Sequence, residues 1–183
     1  MKTQNLRLFK LPPNFRGKPA WFVQLWWLVD STLFRLSPQL MYQWRNLILK
    51  LFGASIGQGV KIRPSVKITY PWKVSIGDFC WIGDDAIIYS LGNIKIGNNT
   101  VISQKSYICA ASHDYTRPTF DIFQAKVEIG KQVWIATDVY IGPGVKIGDG
   151  TVVGARSSVF NNLPENSICI GSPAVKVKRR NAI

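Results

Sequence analysis

Along the middle of the chain, apolar residues return every six positions. The series runs Ile56, Ile62, Ile68; Ile76, Ile82, Ile88; Ile96, Ile102, Ile108; Ile129, Ile135, Ile141; and Ile147, Val153, Val159. Glycine follows many of them, as in Ile56-Gly57, Ile96-Gly97 and Ile147-Gly148. Four residues after the repeated position comes a small or β-branched side chain, among them Val60, Cys80, Ala86, Thr100, Ser106, Val139 and Ser157. A period of six matches neither a helix nor the alternation of an antiparallel hairpin. It predicts a parallel β-helix in which each hexad supplies one short strand and one corner.

The interruptions group the hexads into threes. Steps inside each triplet are six, whereas Ile68 to Ile76 and Ile88 to Ile96 are eight and Ile108 to Ile129 is twenty-one. Every extra residue falls after a third hexad, so two insertions of two and one of fifteen leave at one corner of a triangular prism. The expected fold is mainly β: a parallel β-helix of about five coils over residues 53–175, with a loop at 114–128. Stacking buries an isoleucine column that one coil alone would leave wet.

Residues 1–52 lack the repeat. Trp21, Trp26, Trp27, Leu28, Leu33, Phe34, Leu40, Trp44, Leu47 and Ile48 suggest two helices separated near Ser37-Pro38, with the proline placed to open the second. Such helices would cap the open strand edges of the first coil. A sharper alternative is a membrane-surface anchor, because tryptophan beside Arg and Lys favours the bilayer interface. The stretch from Ala20 to Leu36 is interrupted by Gln24, Asp30 and Arg35, which argues against a transmembrane span. Pro12-Pro13 stands where a signal peptide would continue into an apolar run.

Charge sharpens this division. The formal net charge is +13, yet residues 1–55 hold eight basic and one acidic residue, residues 56–175 are close to neutral, and the tail 176–183 adds four basic residues. A uniformly basic nucleic-acid-binding domain would not be built so; an anionic surface or ligand met by the chain ends would. Three cysteines, Cys80, Cys109 and Cys169, fit a reduced, cytoplasmic compartment better than a disulfide framework.

His113 is the single histidine and stands where the fifteen-residue excursion leaves the prism. A neutral imidazole is well suited to take a proton from a hydroxyl, and long loops on regular scaffolds tend to carry function. Trp134, twenty-one positions on, is expected to stack beside it as one wall of a pocket, although corner packing is its plainer role. Asp114 is a weaker candidate to orient the imidazole, since adjacent side chains tend to diverge. Asp84 and Asp85 are candidate substrate contacts, although acidic residues after Ile-Gly also simply favour turns. Cys109 invites a thiolate reading, but its place beside Ile108 in a strand favours an inert thiol. The chain has no GxGxxG, no GxxxxGK[ST] and no CxxC, and one histidine cannot make a histidine-rich zinc site, so no metal is expected.

The Ile-Gly hexads, Ser112-His113-Asp114, Val133-Trp134-Ile135 and the closing Ile170-Gly171-Ser172-Pro173-Ala174 together resemble the hexapeptide-repeat acyltransferases over about residues 53–180. Within them the pattern is similar to the maltose, galactoside and nodulation-factor O-acetyltransferases, and most of all to the acetyltransferases of colanic acid and other exopolysaccharides. The resemblance implies a left-handed β-helix, a homotrimer, and acetyl-CoA lying between neighbouring prisms. It implies that His113 is the general base for a sugar hydroxyl attacking the thioester directly, and that backbone N–H groups hold the oxyanion. Positions matching coenzyme contacts are Thr137, Ala155 and Lys178. Ile135-Ala136 in place of Ile-Gly, and Phe160 at a small polar position, depart from the pattern. Other acceptors, such as a nucleotide-sugar amine or an antibiotic hydroxyl, and a non-catalytic scaffold role are the alternatives.

Overall fold

The computed structural model describes residues 3–181; residues 1–2 and 182–183, the outer ends of the two predicted terminal segments, lie outside the described residues. Residues 55–159 wind five times around three faces. The first face stacks Ser55–Ile56, Val74–Ile76, Ile94–Ile96, Val127–Ile129 and Lys146–Ile147. The second stacks Lys61–Ile62, Trp81–Ile82, Val101–Ile102, Trp134–Ile135 and Val152–Val153, and the third Lys67–Ile68, Ile87–Tyr89, Tyr107–Cys109, Tyr140–Ile141 and Ser158–Val159. All of these ladders are parallel and keep the repeated apolar position in register, isoleucine on isoleucine as in Ile62↔Ile82 and Ile88↔Ile108, with Val153 and Val159 in the fifth coil.

The repeat is therefore a set of columns. Ile62, Ile82, Ile102 and Ile135 are buried on one face, and the small residues four positions after each repeat fill the inner corners. Where that filler is polar its hydroxyl is used: Thr100 Oγ1 donates to the Gly130 carbonyl at 2.8 Å and Ser106 Oγ to the Ala136 carbonyl at 2.8 Å. Such bonds remove the cost of burying a hydroxyl. The glycine after each first-face residue answers to close stacking. A Cβ on Gly97 would stand 2.7 Å from the backbone of Gly130 in the next coil, nearer than any side chain can sit.

Two features extend the expected five coils. A partial sixth begins with Leu163, bridged to Ile147, and continues in Ser167–Gly171, which pairs in parallel with Val152–Val153. The basic tail then turns back as Ala174–Arg179, antiparallel to Ser167–Gly171, and closes the upper edge of the second face. All three insertions leave between the third and first faces, and the fifteen-residue one folds into a hairpin of Ala111–His113 and Ile122–Gln124.

At the other end, α1 (Ala20–Val29) runs into a wider turn at Asp30–Phe34, and α2 (Tyr42–Leu51) follows. The second helix starts four residues beyond Pro38. The guanidinium of Arg45 reaches back to hold the carbonyls of Pro38 and Gln39 at 2.9 and 2.6 Å, which keeps that stretch non-helical. Both helices lie on the first coil and supply donors to its open edge. Trp26 Nε1 donates to Ile68 O at 2.9 Å, Arg45 Nε to Ile62 O at 2.7 Å and Asn46 Nδ2 to Val60 O at 2.8 Å. The strand carbonyls that would template another chain are thereby occupied.

Candidate active site

His113 ends the first strand of the excursion hairpin, in register with Ile122. Its Nδ1 lies 2.9 Å from the Phe120 carbonyl, and its ring stacks on the Phe120 ring at 4.3 Å between centroids and 9° between planes. A carbonyl only accepts, so Nδ1 carries the proton, and in the uncharged form of the ring Nε2 is the lone-pair acceptor. Phe120 holds this position in the left-handed region, at φ 49°, where a bulky residue is strained. Phe9 approaches the imidazole from another side at 6.0 Å, and the Asn5 amide donates to Pro118 O at 2.7 Å, so the N-terminal segment braces the loop.

Asp114 does not orient the imidazole. Its carboxylate accepts from the amide and hydroxyl of Thr116 and pairs with Arg117 at 3.4 Å, and the Thr116 hydrogen bonds hold it below the usual carboxylate range. Cys109 is buried, with its thiol directed at Ala111 O.

Trp134 is not beside His113. It lies on the second face, in register with Val101 and Val152, and its Nε1 donates to Ser103 Oγ at 3.0 Å. The twenty-one-residue step runs around the corner from third to first face; the stacked partner of Trp134 is thirty-three residues earlier. Lys178 is exposed and paired across from Ile168, so it caps the same outward column as Trp134, Val152 and Ile168.

Asp84, Asp85, Thr137 and Ala155 share the corner between the second and third faces. The coils there are tied by Lys105 N to Asp84 O at 2.9 Å, Asp138 N to Gln104 O at 3.0 Å and Arg156 N to Thr137 O at 3.0 Å. Thr137 and Ala155 thus stand in successive coils, with the Thr137 hydroxyl donating to Gln104 O. Asp84 is engaged with Arg63 Nε at 2.8 Å and Ser65 Oγ at 3.2 Å, and Asp85 occupies a left-handed turn position at φ 58°. Of the two departures from the family pattern, Ala136 is buried and Phe160 is exposed against Tyr140.

One chain therefore carries its candidates on two edges: the His113 hairpin where third face meets first, and the Thr137–Ala155 corner where second meets third. Across the third face between them stand Tyr89, Tyr107 and Tyr140, in ring contact at 5.8 and 5.9 Å. Sequence reasoning missed both the Phe120 carbonyl and a groove of about 370 Å³ on the lower second face, lined by Tyr42, Lys61, Arg63, Trp81 and Ser103. Lys61 Nζ sits 5.0 Å above the Trp81 ring. The available signal was an indole at an outward strand position, beside Ile82. Among the described residues no group of three or more His, Cys, Asp or Glu is placed to hold a metal ion.

Comparison with known proteins places this architecture. The family Bacterial transferase hexapeptide (six repeats) matches residues 126–161. A protein of Escherichia coli (strain K12), carried under the provisional name colanic acid biosynthesis acetyltransferase WcaF, is 56% identical over 177 residues, which is 97% of each chain. The crystal structure of a maltose O-acetyltransferase from Clostridium difficile 630 superposes with a TM-score of 0.80 at 26% identity, covering 90% of each chain. A galactoside acetyltransferase in complex with coenzyme A shares the fold with a TM-score of 0.81 at 23% identity, over 96% of this chain and 89% of that one. With the six-residue repeat, the three-faced prism and this near full-length identity in agreement, the chain belongs to the hexapeptide-repeat acetyltransferases.

Proposed function

We propose that the protein transfers the acetyl group of acetyl-CoA to a hydroxyl of a saccharide used in exopolysaccharide assembly, with His113 as general base. The observation that carries the chemistry is the Nδ1–H bond to the Phe120 carbonyl, which leaves Nε2 as the proton acceptor. In the reaction the hydroxyl proton passes to Nε2 while the oxygen attacks the thioester carbonyl carbon. Collapse of the tetrahedral intermediate breaks the C–S bond, and the proton held on the imidazole goes to the departing sulfur. The products are an acetyl ester and coenzyme A as the thiol.

The coenzyme as donor is supported by a fold neighbour solved with it, and the exopolysaccharide setting by the name of the 56% identical relative. Thr137 and Ala155 at the corner, with Lys178 nearer the prism top, are assigned to the donor. Small residues on successive coils leave room there for a narrow pantetheine arm. Asp84, Asp85 and Trp134 are assigned to the acceptor side, together with the Trp81 groove, where an indole with neighbouring cations and hydroxyls suits a saccharide. Because His113 and the Thr137–Ala155 corner lie on different edges, the site is complete only where the hairpin of one copy meets the corner of another. A homotrimer with three such seams satisfies this.

Calorimetry with acetyl-CoA on the wild type and His113→Ala, followed by thiol release with a saccharide panel, tests the reading. Saturable donor binding by both proteins, with turnover lost only in the variant, is expected. Equal turnover in the variant overturns the base, and no donor binding by the wild type overturns the transferase assignment.

A further inference from the structure

The cap buries only part of its apolar surface. In α1, Val23 and Trp26 are buried against the prism, while Trp21, Leu25 and Leu28 form an exposed stripe at the spacing of one helix face. In α2, Arg45, Ile48 and Leu49 are buried, while Trp44, Leu47 and Leu51 form a second exposed stripe. Between the helices Leu33, Leu36, Leu40 and Met41 are exposed as well, Leu36 at 79% and Leu40 at 83%. Trp44 Nε1 donates to Leu33 O at 3.0 Å, so the second stripe and the connecting turn are held as one surface. With Trp27, eleven large apolar side chains within residues 21–51 are left in water, where isolated ones would need no explanation and a group of this size does.

The charge around them has one sign. Residues 1–55 contain eight basic residues and the single acid Asp30. That acid is paired with Arg35 at 3.3 Å, and burial pushes its carboxyl up. Lys10, Lys18 and Lys50 are exposed, and the first coil adds exposed Lys61 and Lys67. No described helix is long and apolar enough to cross a membrane.

From these observations we infer that the cap docks on the surface of an anionic lipid bilayer. The stripes and the Leu36–Leu40 turn enter the interface, the indoles of Trp21, Trp27 and Trp44 lie at its boundary, and the surrounding lysines meet lipid phosphates. Charge selects this occupant over a second copy of the chain, since two such caps face to face would oppose cation to cation. The docking itself does not depend on the transfer chemistry. It bears on that chemistry because the Trp81 groove takes Tyr42 of α2 into its wall and opens on the lowest three coils, the end turned to the lipid.

Flotation of the full chain with vesicles tests this, using phosphatidylcholine alone and phosphatidylcholine containing phosphatidylglycerol. The wild type is expected to float with the anionic vesicles and at least tenfold less with the neutral ones, and raised salt is expected to weaken it. The double variant Leu36→Glu/Leu40→Glu changes two mostly exposed side chains outside the hydrophobic core. It is expected to lose at least tenfold in vesicle affinity while its thiol release with a water-soluble saccharide stays at the wild-type rate. That rate reports on the proposed transferase separately from docking. Wild-type protein that stays unbound at millimolar anionic lipid overturns the inference, as does a double variant that floats equally well. An oligomer that the double variant breaks up, with no lipid binding by either protein, assigns the surface to a second copy instead.

Discussion

The Phe120 contact gives the sharpest perturbation of the site, because its two roles can be separated. The carbonyl fixes the tautomer of His113 from 2.9 Å, and the ring fixes the plane of the imidazole from 4.3 Å. Phe120→Gly keeps the carbonyl and removes the ring. It also places glycine at φ 49°, a conformation glycine adopts freely, so the turn is relieved rather than broken. A stacked aromatic pair is worth about 0.5–1.5 kcal/mol. If that energy is spent on orienting the base, kcat/KM falls by about 2–13-fold at roughly 1.4 kcal/mol per decade. His113→Ala removes the proposed base altogether and is expected to cost about 10²–10⁴-fold. The assay is thiol release from acetyl-CoA in the presence of saccharide, with donor affinity measured separately by calorimetry. A positioning residue lowers kcat and leaves donor affinity unchanged. If Phe120→Gly matches the wild type while His113→Ala is inactive, the ring does not position the base; if it weakens acetyl-CoA binding instead, the loop belongs to the donor site.

The proposed seam between copies predicts complementation: His113→Ala and Ala155→Trp homomers are each expected to be inactive, and mixed oligomers to recover about one quarter of wild-type activity, the share of seams pairing an intact hairpin with an intact corner. Recovery of nothing would place the whole site in one chain. Arg45 is fully buried and its guanidinium donates to Ile62, Pro38 and Gln39 carbonyls and to Ser37 Oγ. Arg45→Met leaves these buried acceptors without donors and is expected to cost about 3 kcal/mol or more, a fall in Tm of roughly 6–12 °C, and a fall under about 2 °C by calorimetry would refute this. Burial pushes the phenols of Tyr107 and Tyr140 up to about 12. The folded chain therefore keeps protons that the unfolded chain loses from about pH 10. Stability is full below that value and drains away as pH rises toward 12, and phenolate absorbance should show these two tyrosines ionising after the others.

The prism was legible because each coil must bury the same position. Its period is written directly into the chain, and the insertions betray the corner by all falling after the third hexad. The sixth coil was harder to see because its signal is a shortening. Leu163 and Cys169 keep the six-residue step, but Leu163 follows Val159 by four, so the register resets just where an insertion would otherwise have marked a new coil. Trp134 was misplaced because a step around the prism was counted as a step up it; the fifteen-residue excursion that leaves at His113 stretches the second-face interval to thirty-three. The Phe120 carbonyl was beyond reach for a different reason. A backbone oxygen has no residue type, and which one meets the imidazole is decided by the hairpin register of His113 with Ile122.

Periodicity fixes two coordinates of every residue, its height along the axis and its edge, and the proposed site needs both. His113 leaves after the third coil and Thr137 lies in the fourth, so the proposed base and the proposed donor corner are neighbours in height. They differ in edge, by the full width of the third face with its tyrosines. Stacking forces bring residues together along the axis and cannot bring two edges of one rigid prism together. The proposed reaction, which uses both edges, would therefore draw them from two copies. With the prism axes parallel, an apolar cap at one end of each prism would present all copies of such an assembly to the same plane.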